Sequence, residues 1–129
     1  MIIKLESTDF KTTFYIENFS KKAGVCTGTL LFHSGKVKLP GKIKPNMTKI
    51  NLKVISCQPI EDFQALANLA FTNFDLFDLM IIHRIGQAFP GDNILLAGVS
   101  SAVKKDAFSA LNWIIDEIKR EKIISLIEE

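Results

Sequence analysis

Lysines are the most numerous residues that could do chemistry in the first half of the chain. Six of them share a segment with Pro40, Gly41 and Pro45, namely Lys36, Lys38, Lys42, Lys44, Lys49 and Lys53. Several ammonium groups on one mobile loop can close over a phosphate, which would make the segment an anion site. The same composition is typical of a solvated, flexible hairpin. Both interpretations stay open at this point.

Two histidines and two cysteines are the candidate metal ligands, namely His33, His83, Cys26 and Cys57. No two of them have the spacing of a zinc ligand pair, and the cysteines do not form a Cys-x-x-Cys motif. We therefore predict no metal site. In a reducing compartment the cysteines are most simply two free, buried thiols.

Length and composition predict one domain spanning residues 1–129. The chain has 129 residues, of which 47% are hydrophobic, enough to bury a core. Its net charge of +2 is too small to indicate nucleic acid as a partner. No apolar run reaches the roughly 18 residues of a membrane span, and the first residues lack a signal peptide pattern. We therefore expect a cytoplasmic protein.

A tight turn near the middle of the chain organises the elements that must position these residues. The stretch His83 to Asp92 separates two short apolar runs, 79–82 and 94–99, which are rich in Ile, Leu and Val and are typical of buried strands. Pro90-Gly91-Asp92 is turn chemistry. At a strand end, His83 and Arg84 are predicted to satisfy backbone carbonyls or a carboxylate such as Asp92.

The remaining elements alternate between strand and helix patterns. Strands are predicted at 2–5, 25–32 and 50–55, and a short helix near residues 10–19 is predicted to be capped by Ser7 or Asp9. A second helix begins at Pro59, and its apolar stripe consists of Ile60, Phe63, Leu66, Ala67, Ala70, Phe71 and Phe74. A third, capped by Ser100 or Ser101, turns Ala107, Leu111, Ile114, Ile115 and Ile118 inward. This order predicts an α+β fold with helices against a mainly antiparallel sheet.

Three ordered motifs resemble one known family. His83-Arg84-Ile85-Gly86 followed by Pro90-Gly91-Asp92 resembles the signature of the large, catalytic subunit of molybdopterin synthase. The segment 28–38 is similar to that family's Gly-Ala-Leu-Val-x-Phe-x-Gly-x-Val-Arg segment, and 98–102 followed by Ala107-Phe108 is similar to its Gly-Val-x-Ser-Ala and Ala-Phe pattern. The resemblance covers about residues 28–120.

The resemblance implies a fold, a reaction and partners. The fold is of the α/β-hammerhead type, and the large subunits form a homodimer flanked by two copies of a small ubiquitin-like sulfur carrier, a heterotetramer. The enzyme is a sulfurtransferase of molybdenum cofactor biosynthesis. It moves sulfur from a thiocarboxylate on the carrier's C-terminal Gly-Gly tail to cyclic pyranopterin monophosphate, forming the molybdopterin dithiolene. No metal or organic cofactor is implied.

The resemblance also implies site residues. Lys119 occupies the position of the family's essential lysine, where an amine would polarise the thioester-like carbonyl or shuttle protons. The positions implied to contact substrate are Lys36, Val37, Lys38, Val103, Lys104 and Glu128. Without the resemblance, Lys119 is a surface charge near the negative end of a helix.

The chain departs from the family pattern in three places, which leaves a second hypothesis open. Lys38 replaces an arginine but keeps its charge, which favours the catalytic hypothesis. Val103 replaces a histidine and Leu126 a second active-site lysine, and together with the short C-terminus they favour the second. Residues 120–127 lack proline and consist of good helix formers, so continuation of the last helix is one alternative for the tail. The second hypothesis is therefore a diverged, non-catalytic member that keeps the dimer and partner binding. A third, an unrelated anion-binding domain, explains only the lysine segment.

Overall fold

The computed structural model describes all residues from 1 to 129 and contains three helices and seven strands. In chain order the elements are β1 (Ile2–Glu6), α1 (Thr12–Lys21), β2 (Thr29–Lys36), β3 (Ile50–Val54), α2 (Pro59–Asn73), β4 (Asp78–Arg84), β5 (Gly86–Ala88), β6 (Asn93–Ser101), α3 (Lys104–Ile118) and β7 (Ile124–Glu128). The predicted α+β class is confirmed.

Two sheets form the framework. The larger has the order β1-β4-β6-β2, in which β1 runs parallel to β4 while the other two pairs are antiparallel. The smaller has the order β5-β3-β7 and is entirely antiparallel. The chain passes from one sheet to the other at Gly86, which has a φ of 83°. Glycine adopts this conformation without a Cβ penalty.

Both faces of the larger sheet are covered, which explains why its central strands are continuously apolar. Leu79 and Ile81 of β4 pack in the main core with α2 and α3. Met80 and Ile82 point to the opposite face and pack with Phe10 and with Phe19 of α1. No helix of the structure is both long and apolar enough to cross a membrane.

Most predicted elements are confirmed, with shifted ends. The helix that begins at Pro59 and the inward stripes of α2 and α3 are observed, and α3 also buries Ala110. The predicted strand 25–32 lies four residues later, at Thr29–Lys36, because residues 22–28 form a turn that contains no strand pairing.

Three local predictions are wrong. The tail does not continue α3, because Glu121 takes a left-handed conformation with a φ of 55° and the chain returns as β7. No side chain caps α1 or α3 at their first residues, since Lys11 and Val103 occupy those positions. Cys26 and Cys57 are exposed rather than buried, although both are free thiols as predicted.

Candidate functional site

The signature stretch around His83 is structural. His83 and Arg84 are each only 5% exposed. The His83 Nδ1 lies 2.7 Å from the Arg84 carbonyl oxygen, so Nδ1 carries the hydrogen and donates it. Burial lowers the pKa of His83, and this hydrogen bond opposes that effect. Arg84 Nη2 donates to the Gln87 carbonyl at 2.6 Å, and Nη1 faces Asp92 at 3.9 Å. The predicted structural roles are confirmed.

Asp92 shapes the turn, as predicted, and the turn fixes the start of the lysine segment. The Asp92 carboxylate accepts a hydrogen bond from the Phe89 amide at 2.9 Å. The Val37 amide donates to the Asp92 carbonyl at 2.9 Å, and the Val37 carbonyl accepts from Gly91 at 2.8 Å. Val37 is itself 4% exposed. It therefore anchors the exposed Lys36 and Lys38 on either side and presents no free group.

Glu128 holds the far part of the lysine segment. Its carboxylate accepts hydrogen bonds from three consecutive backbone amides, those of Lys42, Ile43 and Lys44, at 2.6 to 2.7 Å. Gly41 is required beside it, because a Cβ there would stand 2.8 Å from the Glu128 carboxylate and 2.1 Å from the Lys44 carbonyl oxygen. The residues between β2 and β3 form a largely exposed loop that is tethered at both ends. The predicted hairpin is wrong, because β2 and β3 belong to different sheets and do not pair.

Acidification is expected to release this tether. The amides of Lys44, then Ile43 and Lys42, favour the carboxylate and lower the pKa of Glu128. The stabilising contribution is therefore fully present above the ordinary glutamate pKa of about 4.3 and is lost as the pH falls through the lowered value. We expect the protection of the amides at residues 42–44, taken relative to their intrinsic exchange rates, to decrease at acid pH, and also at neutral pH in Glu128→Gln.

A matched variant separates this tether from general charge effects. Glu129 is the neighbouring carboxylate, and its side chain pairs only with Lys49, at 3.7 Å. Glu129→Gln should leave exchange at residues 42–44 unchanged in the same NMR experiment. Equal exchange rates in Glu128→Gln and the wild-type protein would contradict the assignment.

Lys119 lies at the carboxyl end of α3 and is exposed. Its amide donates to the Ile115 carbonyl at 3.0 Å, which holds it in the last helical turn. The next cation, Arg120, pairs with Glu117 at 3.4 Å, whereas the Lys119 ammonium forms no ion pair. A free ammonium at this position is available to an anion or a polarised carbonyl.

Two of the other predicted residues, Val103 and Lys104, lie far from Lys119. Val103 and Lys104 are exposed at the opposite end of α3, and 15 residues at 1.5 Å each place Lys104 about 22 Å from Lys119. Leu126, at the position of the family's second lysine, is 37% exposed on β7. Its amide donates to the Glu121 carboxylate, which fixes the turn after Lys119.

An apolar cavity of about 290 Å³ lies beside this turn, between α2, α3 and the start of β7. Phe63, Leu66 and Trp113 line its walls, and His83 lies against it. Glu117 and Lys122 are also among its lining residues. No group of three or more His, Cys, Asp or Glu side chains stands close enough together to hold a metal ion.

His33 is a residue near Lys119 to which sequence reasoning gave no role except as a poor zinc ligand. Burial lowers its pKa, and the charge of Lys119 lowers it further. The strand pattern could have indicated that His33 faces inward, because it lies two residues from the inward-facing Leu31 and residues at this spacing share one face of a strand.

Comparisons with known proteins identify the family of this chain. Residues 5–121 match the family model described as "MoaE protein". The molybdopterin synthase catalytic subunit of Pyrococcus abyssi is 31% identical over 94 residues, which is 73% of this chain and 63% of that protein. The corresponding subunit of Vibrio cholerae is 27% identical over 117 residues, 91% of this chain and 76% of that protein. The chain thus matches less than two thirds of the length of the P. abyssi relative.

Solved structures share the fold. The molybdopterin synthase structure from Staphylococcus aureus superposes with a TM-score of 0.82 at 20% identity, covering 97% of this chain and 88% of that one. A complex of subunits 1 and 2 of the molybdopterin-converting factor from Helicobacter pylori gives 0.75 at 15% identity, covering 99% and 84%. Since the family model spans most of the chain, this protein belongs to the MoaE family, whose curated relatives are catalytic subunits of molybdopterin synthase.

Proposed function

We propose that this chain is the large subunit of a molybdopterin synthase and acts as a sulfurtransferase. It would transfer sulfur from the thiocarboxylated tail of a small carrier protein to cyclic pyranopterin monophosphate, forming the dithiolene. The observation that carries the proposal is the exposed, unpaired Lys119 at the end of α3, in a chain of this family. No metal or organic cofactor is required by this chemistry.

The proposed roles follow from charge and position. Lys119 stabilises negative charge on the carbonyl oxygen of the carrier's thiocarboxylate. Lys36 and Lys38, exposed on either side of the anchored Val37, contact the substrate phosphate. Lys38 does so as a point charge without the bidentate fork of an arginine.

The other predicted substrate contacts have indirect or more distant roles in the proposed reaction. Glu128 acts through the loop it tethers, since its carboxylate is already occupied by three amides. Lys104 supplies positive charge at the far end of α3, and Val103 offers an exposed apolar side chain beside it.

The proposed assembly is a cytoplasmic homodimer of large subunits, each a single domain over residues 1–129, flanked by two small carriers. The similar H. pylori structure is a complex of two subunits, which supports a small partner for this chain. The carrier is expected to be a ubiquitin-like chain with a C-terminal Gly-Gly.

A non-catalytic relative is the second candidate function. The observation in its favour is the exposed Leu126 on β7, where the family pattern has a lysine. Such a protein would keep the fold and the carrier interaction without sulfur transfer.

One experiment separates the two candidates. The purified chain is mixed with thiocarboxylated carrier and cyclic pyranopterin monophosphate, and molybdopterin is measured in a single turnover, while carrier binding is titrated in parallel. Molybdopterin formation is the expected result. A stable complex without product would favour the non-catalytic relative, and neither binding nor product would overturn both.

A further inference from the structure

His33 lies on the face of β2 that α3 covers. On this strand Leu31 packs into the main core with α3, while Leu30 and Phe32 pack on the opposite side near α1. His33 and Gly35 follow Leu31 at two-residue steps and therefore share its face. Because Gly35 has no side chain, the imidazole extends along the strand. Its Nε2 lies 3.4 Å from the point where a Cβ of Gly35 would stand.

The carboxyl end of α3 lies beside the part of β2 that contains His33 and Gly35. The helix starts where β2 starts, since Gly28 abuts the Ala102 carbonyl and Thr29 pairs with Ser101. It then packs along β2 and β6. Its 15 residues advance about 22 Å. The seven steps from Gly28, just before β2, to Gly35 advance about 23 Å. Lys119 therefore arrives level with Gly35, next to the imidazole.

The charged residues near the end of α3 are Asp116, Glu117, Lys119 and Arg120, and among them it is the Lys119 charge that shifts the pKa of His33. The paired strand β6 contains no ionisable residue. The helix α1 packs on the other face of β2, so its Glu17 and Lys21 are separated from His33 by the sheet. Burial and the Lys119 charge together lower the pKa of His33, so the imidazole is neutral near pH 7. The other histidine, His83, is buried and donates from Nδ1 to Arg84.

We propose that His33 is the acid–base residue of the Lys119 site. The inference rests on the proposed function. When the bond between the carrier's carbonyl carbon and the transferred sulfur is cleaved, water adds to that carbon. The neutral imidazole accepts the proton that the water loses and returns it to the departing sulfur. Carrier carboxylic acid and substrate thiol are the products, and Lys119 stabilises the intermediate oxyanion.

The pH dependence of the single-turnover rate tests this role. A protonated imidazole cannot accept a proton, so the wild-type rate should fall as the pH drops through the lowered His33 pKa. His33→Gln and His33→Phe should be slower by about 10²-fold and should lose this acidic limb. Thermal unfolding of each variant reports whether the fold is retained. Folded variants with the wild-type rate and the wild-type acidic limb would overturn the proposal.

An NMR titration of the two histidines tests the juxtaposition without catalysis. Lys119→Gln should raise the pKa of His33, whereas Lys105→Gln, which removes an equal charge from the far end of α3, should not. His83 is the internal reference. An unchanged His33 titration in Lys119→Gln would overturn the proposal. Wild-type protein that makes no product would instead overturn the proposed function, and this inference with it.

Discussion

Replacing Lys119 by alanine is expected to slow molybdopterin formation by about 10² to 10³-fold, the cost typical of removing one group that stabilises an oxyanion. The ammonium of Lys119 is exposed and unpaired at the end of α3, so its removal breaks no ion pair of the fold. The loss should therefore appear in the single-turnover rate and not in thermal unfolding. Carrier binding should be retained if the residue acts on the reacting carbonyl.

Two further variants sharpen this prediction. Lys119→Arg keeps the charge but replaces a compact ammonium by a planar guanidinium, so partial activity is expected. Lys105→Ala removes an exposed lysine from the first turn of the same helix and should leave the rate unchanged. Equal rates for Lys119→Ala and Lys105→Ala would show that Lys119 is an ordinary surface charge.

Replacing Gly28 by alanine is expected to destabilise the protein by about 3 kcal/mol, at the upper end of overpacking effects. A Cβ at this position would stand 2.1 Å from the carbonyl oxygen of Ala102. That atom belongs to the backbone between β6 and α3, so relief requires the two segments to move apart. The hydrogen bond from the Gly28 amide to the Ser101 carbonyl, 3.0 Å long, would be strained as well.

Gly24→Ala is the matched control for this change. Gly24 has no heavy atom within 4 Å of its Cβ position, and its φ is not in the left-handed region. Its substitution should alter the free energy of unfolding by less than about 0.5 kcal/mol. Urea denaturation measures the free energy of unfolding of both variants. An equally small change for Gly28→Ala would contradict the prediction, because it would mean that β6 and α3 can move apart at little energetic cost.

Sequence patterns predicted the elements that bury either one face, as α2 does, or both faces, as β4 and β6 do. The stripe from Ile60 to Phe74 and the apolar runs on either side of residues 83–92 correspond to α2, β4 and β6, because periodicity reports burial directly. Periodicity gave no account of β7. The segment 124–128 is short, and its residues form helices as readily as strands. Its pairing with β3 depends on residues 70 to 78 positions away.

The residues of the candidate site were predicted in part. Which of them lie close together could not be predicted, because that depends on contacts between residues distant in the sequence. Sequence reasoning selected Lys119 and the lysine segment through the family resemblance. It grouped Lys104 with Lys119, which the length of α3 separates. It could not detect that Glu128 is occupied by three amides, because those contacts join residues 84 to 86 positions apart. The proximity of His33 to Lys119 likewise required the path of α3.

The tether at Glu128 also determines when the lysine loop can take its shape during synthesis. The lysine loop leaves the ribosome early, but its amides at 42–44 have no acceptor until Glu128 has been translated. At about 5 to 20 residues per second, the intervening residues take several seconds. Throughout that interval the loop is an unpaired basic segment on a partly folded chain. The loop therefore takes its final shape only after Glu128 has been translated.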